Sequence, residues 1–205
     1  MATIGGNLCL DTRCLYYNQS HWWRQSNDFC LKYQGDICHV APKGNRCRAA
    51  FSGDLAPALM VHGATLEIAG PEGIRHLTLP DFYVEDGAAF LTLAPGELLV
   101  AIHLPAPIGP SAYAKVRLRK SIDFPLAGVA LARSETGFNI ALTGTNSCPK
   151  MVDFSVLFSE DDAYFIALEK AVQKAASPQR TSTTQPHYRR LAIAALAART
   201  ARALA

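Results

Sequence analysis

Residues 14–47 read CLYYNQSHWWRQSNDFCLKYQGDICHVAPKGNRC, and the organisation of the chain turns on them. Four of the six cysteines, Cys14, Cys30, Cys38 and Cys47, stand here at spacings of 16, 8 and 9. The residues between them are rich in Asn, Gln, Ser, Asp, Gly and Pro and follow neither a 3.6-residue nor a two-residue hydrophobic period. An irregular stretch of this length must offset its ordering entropy, and four thiolates on one metal centre would do so. Core cysteines belong in periodic apolar runs rather than beside Arg, Asp, His and Asn. Disulfides need an oxidising compartment, and no secretory signal is present. Structural zinc favours close pairs such as C-x2–4-C, which are absent, although His39 beside Cys38 offers a spare ligand. An iron-sulfur cluster also takes four cysteines and is compatible with wide spacing. Spacing leaves zinc and iron-sulfur open, with the cluster ahead. Tyr16, Tyr17, Trp22 and Trp23 stand ready either to shield such a cluster from water or to anchor the loop.

The flanks of the loop carry more. Thr3-Ile4-Gly5-Gly6-Asn7 precedes it and Ser52-Gly53-Asp54-Leu55-Ala56-Pro57-Ala58-Leu59 follows it. Adjacent glycines let a backbone approach a pyrophosphate and leave N–H groups free to donate to it. Together the two segments resemble the second flavin-binding motif of the FAD subunits of the xanthine oxidase and carbon monoxide dehydrogenase family of molybdenum hydroxylases. In that family the halves of the motif lie close in sequence; here the cysteine loop is inserted between them. Within the family, an insertion with these spacings resembles the beta subunits of 4-hydroxybenzoyl-CoA reductases.

The resemblance implies an α+β fold, the second half of a PCMH-type FAD-binding domain over 1–108 with a cluster loop at 8–51, then a smaller flavoprotein domain over 109–205 with an antiparallel sheet and helices. It implies flavin contacts at Thr3, Ile4, Gly5, Gly6, Asn7, Asp54, Leu99 and Lys115, with Arg119 nearby, and a 4Fe-4S cluster on Cys14, Cys30, Cys38 and Cys47. Electrons would pass from reduced ferredoxin through the cluster and FAD to the 2Fe-2S centres of a small subunit. They would end at the molybdenum cofactor of a large subunit, where 4-hydroxybenzoyl-CoA is reductively dehydroxylated. A related flavin subunit acting with another substrate, and a zinc-binding assembly module, are the other readings. Family members carry an earlier half-domain with another Gly-Gly motif, so the chain reads as N-terminally incomplete.

Composition agrees with a folded domain or two: 205 residues, 49% hydrophobic and 18% charged. A net charge of +3, from 20 basic and 17 acidic residues, argues for neither nucleic acid nor a membrane surface. No apolar run approaches a membrane span, and a cytoplasmic location, where thiols stay reduced, is expected. No P-loop, Ser-His-Asp arrangement or paired carboxylates point to hydrolysis.

Local patterns predict a helix from Leu55 to His62, capped by Asp54 and ended by Gly63. A hairpin follows over Thr65 to Ile68 and Ile74 to Leu79, then strands over Phe90 to Leu93 and Leu99 to Leu104. Pro105, Pro107 and Pro110 make a linker. Beyond it come a strand from Ser111 to Lys120 with a basic face, and an antiparallel pair over Leu126 to Ala132 and Asn139 to Thr143. A helix from Asp161 to Ala176 carries Tyr164, Phe165, Leu168 and Val172 on one face. A polar loop over Ser182 to Gln185 leads into an Ala/Arg helix from Pro186 to Leu204. Cys148 and Cys9 are expected to be structural.

Overall fold

The protein is described by a computed structural model covering residues 3–180 and 184–205. The first sheet holds β1 (Thr65–Gly70), β2 (Gly73–Thr78) and β3 (Leu98–His103) in the order β2-β1-β3. The second holds β4 (Ser111–Val116), β5 (Ala127–Arg133), β6 (Phe138–Thr143) and β7 (Lys150–Met151) in sequence order. All pairings between these strands are antiparallel. The helices are α1 (Ile4–Leu8), α2 (His21–Gln25), α3 (Leu55–Met60), α4 (Asp162–Ala175) and α5 (Pro186–Arg202). No described helix is long and apolar enough to cross a membrane.

Side-chain alternation explains how the layers stack. In β1, Leu66 and Ile68 are fully buried while Thr65 and Glu67 face outward, the pattern of a sheet wet on one side. β5 is buried on both faces. Its Ala127, Val129 and Leu131 pack with Phe138, Ile140 and Leu142 against α4 and α5. Its Ala130 and Ala132, with Ala141 of β6, pack instead against Leu8, Phe51 and Met60. Small residues on that second face let α3 lie close to the sheet.

The four apolar residues expected on the buried face of α4 are the ones it buries, and Asp161 caps it by accepting from Tyr164 N–H at 2.8 Å. Three elements depart from expectation. The expected strand at 90–93 is a single bridge between Tyr83 and Leu91. The strand expected to reach Lys120 stops at Val116, because Arg117 donates to the Ser121 carbonyl and Arg119 pairs with Asp123 at 2.9 Å, folding 117–123 into a turn. Asp54 does not cap α3, for a reason given below. The polar loop expected over Ser182 to Gln185 lies largely outside the described residues.

Arg189 is the buried arginine of the Ala/Arg helix. Its side chain is buried, and it donates to the carbonyls of Leu126 at 2.8 Å, Gln179 at 2.7 Å and Gly144. Burial holds its guanidinium down to about 10, and the three carbonyls keep it hydrogen-bonded. Arg189 thereby joins the start of α5 to the segments entering β5 and leaving β6, both at the open end of the hairpin. Its removal orphans three buried acceptors, each worth about 1–3 kcal/mol. Arg189→Leu is therefore expected to lower unfolding free energy in urea by about 3 kcal/mol, whereas exposed Arg190→Leu should cost under about 1 kcal/mol; equal losses would contradict this role.

Candidate functional site

The cysteine stretch leaves and re-enters the fold through one neck. Arg13 N–H donates to the Ala50 carbonyl and Ala50 N–H to the Arg13 carbonyl, both at 2.8 Å. This closed pair brings the two ends of the loop side by side, so the glycine segment and the Asp54 segment meet despite the insertion between them.

Thr3 caps α1, its hydroxyl accepting from Gly6 N–H at 3.0 Å. A Cβ on Gly6 would lie 2.9 Å from that hydroxyl oxygen, whereas a Cβ on Gly5 would meet nothing. First-turn amides have no intrahelical partner, so Ile4 and Gly5 present free N–H groups beside an open backbone. Asn7 then reaches across to the other half, its Oδ1 accepting from Leu55 N–H at 2.9 Å. Asn7 thus takes the capping role expected of Asp54. Gly53 lets this happen: a Cβ there would stand 2.7 Å from the Asn7 carbonyl oxygen and the Phe51 ring.

Relieved of the cap, Asp54 turns to the second sheet. It accepts from the Tyr113 hydroxyl at 2.5 Å and from Lys115 Nζ at 2.6 Å, and Lys115 donates also to the Asp123 carbonyl at 3.0 Å. Burial, and then the Asp54 carboxylate, push the Tyr113 phenol upward, so it stays a proton donor. Tyr113 was not singled out from sequence. Its place two residues before Lys115, on the same strand face, was the available signal. Lys115 and Asp54 therefore come together with Thr3, Ile4, Gly5, Gly6 and Asn7 through a continuous chain of bonds. Leu99 stands apart, half-buried on β3 opposite Ile68.

All six cysteines are free thiols, and Cys14, Cys30, Cys38 and Cys47 line one tight cavity of about 10 Å³. Tyr16, Tyr17, Lys32 and His39 complete its wall. Trp22 does not, being 74% exposed, and Trp23 lies behind Tyr16 with ring centroids 6.3 Å apart. The backbone is forced to make this cavity: Asp28, Phe29 and Gln34 adopt left-handed φ angles of 53°, 54° and 57° around Cys30. Gly35 packs so closely that a Cβ would meet Cys30 N at 2.7 Å.

The sulfur environment suits anionic ligands held together. The Ala49 amide donates to the Cys47 sulfur, and the backbone at Tyr16 and Tyr17 favours the Cys14 thiolate. Lys32, its ammonium almost wholly buried, ion-pairs with Asp11 at 2.6 Å, donates to the carbonyls of Thr12 and Gly87, and draws the Cys47 thiol down. Desolvation outweighs these effects, raising Cys14 and pushing Cys47 up to about 11. A cationic centre would reverse that balance by deprotonating its ligands. Around a single tetrahedral zinc, sulfurs sit about 3.8 Å apart, given bonds of about 2.3 Å. Among the described residues, no three of these sulfurs lie within 4.8 Å of one another. His39 is engaged elsewhere, its Nε2 against the Phe29 carbonyl at 2.5 Å.

Cys148, expected to be structural, donates to Glu85 at 3.0 Å, and Cys9 closes α1 through its N–H to the Gly5 carbonyl.

A profile of the FAD binding domain in molybdopterin dehydrogenase matches residues 1–107, more than half of the chain. The chain belongs to this family. It is 36% identical over 163 residues to the aldehyde oxidoreductase FAD-binding subunit PaoB of Escherichia coli, covering 74% of this chain and 51% of that protein. It is 35% identical over 126 residues to the carbon monoxide dehydrogenase medium chain of Afipia carboxidovorans, covering 58% and 41%. A chain of the cyanide-inactivated Cu,Mo-CO dehydrogenase superposes with a TM-score of 0.65 at 27% identity, over 75% of this chain and 57% of that one. The chain spans about half the length of the curated relatives it matches. As a member of this family it is related to oxidoreductase subunits that bind FAD, and its α+β architecture is theirs.

The raised thiol carries a pH signature. Burial pushes the Cys47 thiol of the metal-free protein up to about 11, above the value of about 8.5 for a free thiol. Its contribution to stability is thus complete below the unfolded thiol's pKa and lost as pH rises through the folded value. Urea midpoints of the metal-free chain should fall between about pH 8.5 and 11, and fall less for Cys47→Ala; parallel curves would exclude the effect.

Proposed function

We propose that this chain is the flavin-binding, electron-transferring part of a molybdenum hydroxylase and that its inserted loop carries a 4Fe-4S cluster on Cys14, Cys30, Cys38 and Cys47. The observation that supports this most is the shared cavity of the four thiols, reached through a neck that leaves the flavin motif assembled. When bound, the cluster and FAD supply one-electron and two-electron carriers respectively.

The chain's own residues would set the conditions for those carriers. Ile4 and Gly5 amides would donate to the FAD pyrophosphate, with Gly5 keeping the backbone approachable and Thr3, Gly6 and Asn7 fixing the turn. Asp54 and Lys115 would present a carboxylate and an ammonium of fixed orientation, tied by Tyr113, and Leu99 would offer an apolar contact. The Ala49 amide donating to sulfur would hold negative charge in the cavity, and Tyr16 and Tyr17 would exclude water from it. Substrate chemistry would lie on another subunit, so no acid, base or nucleophile is assigned here. The division into a flavin domain over 1–108 and a C-terminal flavoprotein domain over 109–205 belongs to this proposal. So do the molybdenum and 2Fe-2S partner subunits, a cytoplasmic setting and ferredoxin as electron donor.

Substrate is read broadly. Relatives are named for aldehyde and carbon monoxide oxidation, so likeness in the flavin subunit does not fix the substrate. The cysteine spacings favour a narrower second reading, the beta subunit of 4-hydroxybenzoyl-CoA reductase, in which the electrons drive dehydroxylation to benzoyl-CoA. Cys38→Ser tests the ligand set. In the assembled complex it is expected to remove the iron and sulfide assigned to this chain while FAD content stays within about a fifth of wild type; unchanged iron would refute the assignment.

A further inference from the structure

Outside the cysteine loop, the outer face of the first sheet gathers three side chains that nothing in the proposed electron path uses. Glu67 lies on the central strand β1, and His76 stands directly opposite it on β2. His103 on β3 is paired with Thr65, two residues before Glu67 and therefore on the same face. All three project away from the core, because the alternate residues Leu66 and Ile68 are those buried beneath.

We propose that Glu67, His76 and His103 form a binding site for a divalent transition cation of the zinc type. One ligand atom from each lies within 4.8 Å of the other two. His103 Nε2 is already 3.2 Å from a Glu67 carboxylate oxygen, and the two imidazole centroids are 5.9 Å apart. Ligand atoms about a tetrahedral ion with bonds of about 2.1 Å sit about 3.4 Å apart, so closure needs only small side-chain rotations. His76 and His103 are exposed and free to make them, while Glu67 is half-buried and fixed on the central strand.

The donor set decides the class of ion. Two imidazole nitrogens and one carboxylate oxygen suit zinc, nickel or copper, whereas calcium and magnesium prefer oxygen alone. Three protein ligands leave at least one position open. It faces a shallow depression lined by Thr65, Leu77 and Thr78 between the two histidines. A lone exposed Glu–His ion pair would explain His103 but not His76. Holding all three strands through one ion would also fix β2 and β3, the two edges of the sheet.

The site stands or falls independently of the cluster, and zinc can also reach cysteine thiols, so the test separates the two. Zinc is titrated calorimetrically into the full chain and into His76→Ala, His103→Ala and Cys38→Ser. One event in the wild type should weaken at least tenfold in each histidine variant and persist in Cys38→Ser. Loss of every event in Cys38→Ser, or unchanged binding in both histidine variants, would overturn the site. In the unaltered chain, zinc should shift the imidazole nitrogen resonances of His76 and His103 and leave those of His62 in place; unshifted resonances would overturn it regardless of how the variants fold.

Discussion

The paired hydrogen bonds between Arg13 and Ala50 are the constraint on which the rest depends. Without them, residues 14–49 would hold the two halves of the glycine motif apart, and Asn7 could not reach Leu55. With them, the insertion leaves and rejoins the core at one place, and Lys32 and Arg46 tie it back to Asp11, Gly87, Glu85 and Ser147. The neck is reinforced from outside: Gln179 donates to the Arg13 carbonyl at 2.7 Å, and Phe51 exchanges backbone bonds with Asn146 and Gly144 just beyond β6. Left-handed backbone at the non-glycine residues Asp28, Phe29 and Gln34 lies within the loop, where it orients Cys30.

Buried charge is handled consistently across the molecule. Arg189 is matched by carbonyl oxygens alone, Lys32 by one carboxylate and carbonyls, and Lys115 by Asp54 and a carbonyl. In each case the cation joins segments far apart in sequence, so an apolar replacement would leave unpaired acceptors rather than a neutral gap. Lys32 has a second consequence. Its ammonium stands where it offsets negative charge on sulfur, a setting that tunes a bound centre as well as folding the loop.

Much of the fold was legible in the sequence, element by element. Asp161 with the apolar set Tyr164, Phe165, Leu168 and Val172 specifies α4, because cap and period agree. The β1–β2 hairpin follows from alternation around Pro71-Glu72-Gly73. Legibility fails where a tertiary partner outcompetes a local one. Asp54 is a good capping residue by type, yet Tyr113 and Lys115 claim its carboxylate and Asn7 supplies the cap from 48 positions away. The burial of Arg189 is not legible, because its acceptors are carbonyls that sequence does not display. Trp22 reads as a shield because aromatic residues suggest burial, but the single turn of α2 turns it outward. The meeting of four cysteines follows from no spacing rule; it needed the neck and the left-handed turns.

Iron, zinc and acid-labile sulfide, measured on protein purified anaerobically with its partner subunits, test the central reading most directly. The four-thiol cavity predicts about four irons and four sulfides for this chain after the 2Fe-2S contribution is subtracted, with zinc confined to sites outside the cysteines. Zinc held by the cysteines, or intact thiols with no metal, would contradict the cluster and leave the loop a structural insertion on a flavin-binding fold.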